Sequence, residues 1–210
     1  MLTALQVMQK GPVIPVITIE SLEDALPLAQ ALVNGGLTVL ELTLRTKAAM
    51  AAITELRSKV PTAIVGAGTI LEPAQALQAQ AAGAEFLVSP GSTTRVLEGA
   101  AQSGLPLLPG ACTPTEVMLL LEKGYSEQKF FPAEAAGGVD MLRSIAAPIP
   151  QVNFCPTGGL TTDNAAAYLA LPNVVCIGGS WMVSKKLVDA RNWGEVERLA
   201  RLACALQTVK

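Results

Sequence analysis

Eight short β-branched or apolar runs recur along the chain at nearly constant intervals, and this regularity limits the fold more than any other feature. VIPVITI, VLELTL, AIVGAGT, EFLVSP, PLLPGA, QKFFPA, QVNFCPT and VVCIGGS begin near residues 13, 39, 63, 85, 106, 128, 151 and 174. Each is followed by turn residues and a stretch of helical spacing, such as residues 21–34 or 114–123. Eight strand–helix units predict a closed parallel barrel, the (β/α)8 TIM-barrel class of α/β fold. An open doubly wound sheet is the alternative, and eight regular units favour closure. With 210 residues the loops must be short, and one barrel domain, 1–210, takes up the whole chain. Residues 2–9 read as an extra N-terminal helix over the barrel floor, and residues 193–206 as the last outer helix.

Composition narrows the chemistry. Half of the residues are hydrophobic, enough for one sizeable core. Fifteen basic against seventeen acidic residues leave a net charge of -2, with no basic stretch to follow a phosphate backbone or a membrane surface, so no nucleic-acid or membrane partner is expected. No leader-like start and no apolar run approaching the ~20 residues of a membrane span is present, which predicts a cytoplasmic protein. Cys112, Cys155, Cys176 and Cys204 are widely spaced and form no CxxC pair, so they read as core residues in a reducing compartment rather than disulfide partners or zinc ligands. Histidine is absent, which removes the usual proton shuttle, every Ser-His or Cys-His nucleophile and the commonest metal ligand. Chemistry must rest on carboxylates, lysines, hydroxyls and backbone, with no metal and no cofactor expected.

In a parallel barrel the active site forms at the C-terminal ends of the strands. Lys129, within QKFFPA, sits among large apolar side chains in a run that reads as a buried strand. Burial strips water from an ammonium and favours the free amine that attacks a carbonyl carbon to form a Schiff base. On its own it would read as a strand-edge lysine with its head in water. In VLELTLR, Glu41, Thr43 and Arg45 alternate with Leu40, Leu42 and Leu44, so period-2 geometry sends the polar set to the lumen or mouth and the leucines under the helices. A structural salt bridge is the competing role for Glu41 and Arg45. Gly66-Ala67-Gly68-Thr69 sets a hydroxyl at a strand end behind two glycines, which either open space for a ligand or pack strand against helix. Thr157-Gly158-Gly159 and Gly178-Gly179-Ser180 end the last two runs, where barrels bind phosphate with bare backbone N–H groups.

LELTLRT, GAGT, SPG, KFFPAE, CPTGG and IGGSW, in this order and spacing, closely resemble the bacterial 2-keto-3-deoxy-6-phosphogluconate (KDPG) aldolases, which also act on 4-hydroxy-2-oxoglutarate (KHG). The resemblance runs from about Gly11 to Trp181. It implies a class I aldolase, a carbon–carbon lyase of the Entner–Doudoroff pathway, acting as a homotrimer on a phosphorylated keto acid and releasing pyruvate and glyceraldehyde 3-phosphate. Lys129 matches the Schiff-base lysine and Glu41 the general acid/base; Arg45 and Thr69 match contacts to the pyruvate carboxylate, and Phe131 the apolar wall beside the imine. Thr157 looks like the residue bearing on substrate stereochemistry, and Gly158, Gly159, Gly179 and Ser180 like the phosphate cradle. Ala136 in AEAAGG and the stretch 111–115 depart from the pattern and are expected to alter the sugar end of the site. The other readings are a sister aldolase for the galactonate epimer, and a phosphosugar isomerase or epimerase with Glu41 as base and Lys129 as an electrostatic clamp.

Overall fold

The computed structural model describes residues 2–206; Met1 and residues 207–210, the ends of the expected 1–210 domain, lie outside the described residues. The strands are β1 (Val13–Ile17), β2 (Val39–Thr43), β3 (Ile64–Gly68), β4 (Phe86–Val88), β5 (Leu107–Leu108), β6 (Gly110–Ala111), β7 (Glu127–Phe130), β8 (Asn153–Pro156) and β9 (Ile177–Gly179). Every registered pair is parallel, and one sheet runs β5-β4-β3-β2-β1-β9 while a second runs β6-β7-β8. The two sheets form one (β/α)8 barrel. On one side they join through the chain itself, because β5 and β6 are halves of a single barrel strand interrupted at Pro109. Proline has no N–H to give to the ladder, yet its carbonyl still accepts from the Lys129 N–H at 2.9 Å. On the other side the bridge Thr157↔Gly178 and the Val175 N–H, which donates to Phe154 O at 3.1 Å, close the ring.

Alternation along the strands divides the core in two. Ile17, Leu40, Leu42, Val65, Ala67, Leu87, Phe130 and Phe154 face outward into the shell beneath the helices. Ile14, Val39, Phe86, Val88, Leu108, Cys155 and Cys176 face inward and fill the lower lumen. A short helix, α1 (Ala4–Met8), caps that end as the sequence predicts: Val7 and Met8 are buried against the lumen set, and a Thr3–Gln6 capping box starts the helix. The helices α2 (Leu22–Asn34), α3 (Ala49–Lys59), α4 (Pro73–Ala81), α5 (Thr94–Ser103), α6 (Pro114–Glu122), α7 (Gly138–Ala146) and α8 (Ala165–Leu169) follow the strands in turn. A 3-10 turn (Trp181–Val183), α9 (Lys185–Asp189) and α10 (Trp193–Cys204) follow β9. Among the described residues no helix is long and apolar enough to cross a membrane.

Sequence and structure differ most at the final run. Its first residues make only the isolated parallel bridge Phe154↔Val174, and the strand is only Ile177–Gly179. Ala136 and the stretch 111–115, which depart from the family pattern in sequence, have ordinary structural places. Ala136 packs on the outer shell, Ala111 belongs to β6, and Thr113 accepts the Glu116 N–H as the N-cap of α6; none of them lines the mouth cleft.

The outward leucine face supplies a test. Leu40→Ala, at a fully buried position, is expected to cost about 2–5 kcal/mol in urea unfolding, whereas Leu71→Ala, at a position 59% exposed, should stay within about 0.5 kcal/mol of the parent. Equal midpoints for the two variants would contradict the assignment of the faces.

Candidate active site

Glu41 on β2 and Lys129 on β7 project from opposite walls of the barrel and meet inside it. Lys129 Nζ lies 3.3 Å from Glu41 Oε1, and the two residues are only 5% and 3% exposed. The space for this encounter comes from β3. A Cβ on Gly68 would stand 2.2 Å from Glu41 Oε1, and one on Gly66 would stand 2.3 Å from the Phe86 ring. The bare sides of both glycines therefore face the lumen, which decides between the two roles open to GAG in the sequence. Lys129 Nζ also sits 5.3 Å from the Phe131 ring centroid, an apolar wall against which the ammonium gains a cation–π contact. Beside the pair, a hydrogen bond with Cys155, burial and the nearby Glu41 charge push the Cys176 thiol well above its ordinary pKa, so it stays neutral.

Phe131 and Thr157 lead upward into a cleft of about 670 Å³ at the C-terminal ends of the strands. Arg45, Gly158, Gly159, Gly179 and Ser180 line it as well. Gly158 and Gly159 have φ of +102° and +78°, in the left-handed region where side chains are strained, and a Cβ on Gly159 would stand 2.7 Å from that of Glu134. The loop is held from the β7 side: the Ala133 N–H donates to Thr157 O at 2.8 Å and the Glu134 N–H to Gly158 O at 3.1 Å. The buried Tyr168 phenol donates to the Glu134 carboxylate, and burial together with that carboxylate pushes the phenol's pKa far up. The N–H groups of Gly159 and Ser180 donate to no acceptor among the described residues, which leaves them free for an anion.

A model of the family described as KDPG and KHG aldolase matches residues 5–199. The chain belongs to the KDPG and KHG aldolase family. It is 49% identical to the KHG/KDPG aldolase of Escherichia coli (strain K12), with 96% of this chain and 94% of that protein covered. It is also 49% identical to the 2-dehydro-3-deoxy-phosphogluconate aldolase of Dickeya dadantii, with 97% and 95% covered. Its structure is similar to that of the KDPG aldolase from Legionella pneumophila with pyruvate captured at low pH as a covalent carbinolamine intermediate. The TM-score is 0.94 at 47% identity, and 96% of this chain and 98% of that one are covered.

Of the residues that the family resemblance singles out, Glu41 and Lys129 meet in the lumen, while Arg45, Phe131, Thr157, Gly158, Gly159, Gly179 and Ser180 surround the cleft above. Thr69 sits apart. It follows β3 with a φ of +63°, half-buried and outside the set lining the cleft. Thr43 faces inward as its register predicts, but its hydroxyl donates to the Ile17 carbonyl at 2.9 Å. Two contributors were missed in the sequence, Thr18 at the end of β1 and the Glu134–Tyr168 buttress. The rule that strand ends bear the site points to the first; no spacing signals the second, which joins residues 34 apart. Lys185, at the rim, is the wrong amine for a nucleophile. Its bond to Asp189 raises its pKa and keeps it an ammonium.

Gly68→Ala tests the lumen packing. The new methyl has no room beside Glu41, so the variant should lose about 1–3 kcal/mol in denaturant unfolding. An unchanged midpoint would mean that the carboxylate has somewhere else to go.

Proposed function

We propose that this chain is a class I aldolase that cleaves KDPG to pyruvate and glyceraldehyde 3-phosphate and also acts on KHG. The observation that carries the reading is a lysine amine buried at the centre of the barrel, 3.3 Å from a buried carboxylate, in a chain of this family. A buried ion pair is seldom worth its desolvation as a stabilising device, since apolar residues of similar volume do as well or better. Its retention here makes sense as chemistry. Proton transfer from the ammonium to the Glu41 carboxylate yields the free amine, and the protonated carboxyl can return that proton when the carbinolamine loses water.

Neutral Lys129 attacks the C2 ketone to give a carbinolamine, and loss of water leaves a protonated imine conjugated to the bond that must break. Glu41 takes the proton from the C4 hydroxyl; the C3–C4 electron pair flows into the imine, and the aldehyde departs. The enamine left behind takes a proton at C3, and hydrolysis frees pyruvate and restores the amine. Arg45 holds the substrate carboxylate with its fork of donors, aided by Thr69, and Phe131 shields the imine from water. Thr157, beside the reacting carbons, bears on stereochemistry. The Gly158, Gly159 and Gly179 amides and Ser180 hold the phosphate, so binding energy from the far end of the substrate orients C4 against Glu41.

The same family reading extends to a homotrimer in the cytoplasm. In support, an apolar groove lined by Pro114, Met118, Leu121, Pro148 and Ile149 lies on the outer surface, where Met118 and Leu119 are about half exposed. All four cysteines are unpaired. Sedimentation at equilibrium checks the trimer.

Borohydride added with pyruvate is expected to inactivate the protein irreversibly and to add a reduced pyruvyl group to the peptide carrying Lys129. Label on Lys123 or Lys185, or loss of activity with EDTA, would overturn the assignment. Glu41→Gln should lower kcat by about 100-fold or more while pyruvate trapping survives; unchanged turnover would reduce Glu41 to an ion-pair partner. Removing the substrate phosphate should lower kcat/KM by more than ~100-fold, and equal values would make the two Gly-Gly loops ordinary turns.

A further inference from the structure

Thr18 stands one residue beyond β1, half-buried, and lines the cleft. β1 pairs on one side with β2, which carries Glu41 and leads to Arg45, and on the other with β9, which leads to Ser180. A substrate that reaches from Lys129 past Glu41 to the phosphate corner therefore crosses in front of β1 with the atoms that lie between the reacting bond and the phosphate. In the six-carbon substrate that atom is C5, which bears a hydroxyl.

The hydroxyl protons set the polarity that Thr18 offers. Thr43 Oγ1 is 2.9 Å from the Ile17 carbonyl oxygen, and against a carbonyl a hydroxyl can only donate. Thr18 Oγ1 is 3.1 Å from Thr43 Oγ1. The one proton of Thr43 is committed to the carbonyl, so in the second bond Thr18 donates and Thr43 accepts. No described group donates to Thr18 in turn. Thr18 lines the cleft, and its oxygen keeps lone pairs and no proton to give, an arrangement that accepts from a hydroxyl and repels a carboxylate or a phosphate oxygen.

Resting on the aldolase reading above, we propose that Thr18 is a specificity-determining residue that accepts a hydrogen bond from the C5 hydroxyl of the six-carbon phosphorylated substrate. KHG has an ionised carboxylate at C5, with no proton to give. The Thr18 oxygen therefore contributes to cleavage of the six-carbon substrate alone and shifts preference away from the dicarboxylate. Directionality comes from a relay of two threonines on neighbouring strands, not from Thr18 by itself.

The test pairs a nearly isosteric variant with a matching substrate change. Thr18→Val removes the acceptor and should lower kcat/KM for KDPG about 3–10-fold, the effect of one neutral hydrogen bond. Values for KHG should stay within about twofold or rise, and borohydride trapping of pyruvate should be unaffected. Thr18→Ser keeps the hydroxyl and should restore most of the loss. The unmodified enzyme should lose a similar factor on the 5-deoxy analogue of KDPG, on which Thr18→Val then has no further effect, as expected if the two changes remove one interaction. Equal losses on KDPG and its 5-deoxy analogue, or no loss on either, would overturn the Thr18 contact while intact pyruvate trapping leaves the aldolase reading standing. Failure of the unmodified protein to trap pyruvate would overturn that reading, and the Thr18 contact with it.

Discussion

The ion pair between Lys129 and Glu41 is the constraint around which the lumen is organised. Two opposite charges inside a barrel are tolerable only when they touch, when nothing else nearby competes for charge and when water is kept to one side. Each condition has a structural counterpart. Gly66 and Gly68 leave the space that lets a carboxylate from one wall reach an ammonium from the other. The Cys176 thiol, its pKa pushed up, stays neutral beside them. Below, Val7 and Met8 of the N-terminal helix close the lumen with apolar volume.

Above the pair the barrel changes character. The lower lumen is filled by Ile14, Val39, Phe86 and Leu108, while the upper rim carries hydroxyls, Arg45 and bare peptide groups. This polarity follows from chain direction: all strands are parallel, so every strand-to-helix loop emerges at one end, and free N–H groups collect there. The Gly158–Gly159 loop keeps its shape because Glu134, reached through the loop after β7, bonds to it by backbone and is itself gripped by Tyr168. The strand that bears the amine and the loop fit for an anion are thereby fixed to one another, a coupling useful to an enzyme that grips one end of a substrate and breaks a bond near the other.

Much of this was legible in the chain because the relevant signals are periodic or local. The alternation in VLELTL places Glu41 inside and the leucines outside with no knowledge of the partner strand, and turn residues after regular runs mark the strand ends to within a few positions. What escaped depends on neighbours that are distant in sequence. GAG could face either way until Phe86 and the Glu41 carboxylate were found against it. Ala136 departs from the family pattern in the sequence, and only the fold shows that it packs against the outer shell. Thr18 looked like any β-branched residue in a strand, since its meaning lies in the hydroxyl of Thr43 across the ladder.

The sequence by itself determined the number and order of the strand–helix units, which residues face inward, and the family to which the chain belongs, because hydrophobic period and motif spacing are properties of the linear chain. Only the tertiary structure decided which inward residues meet. Lys129 and Glu41 are 88 residues apart and come to 3.3 Å because closure of the barrel sets the sixth strand opposite the second. Closure also brings β9 against β1, and so turns Thr18 from a strand-end threonine into an acceptor poised between Glu41 and the Gly-Gly loops. Contacts of this kind depend on the distance across a ring, and distance along the chain carries no record of it.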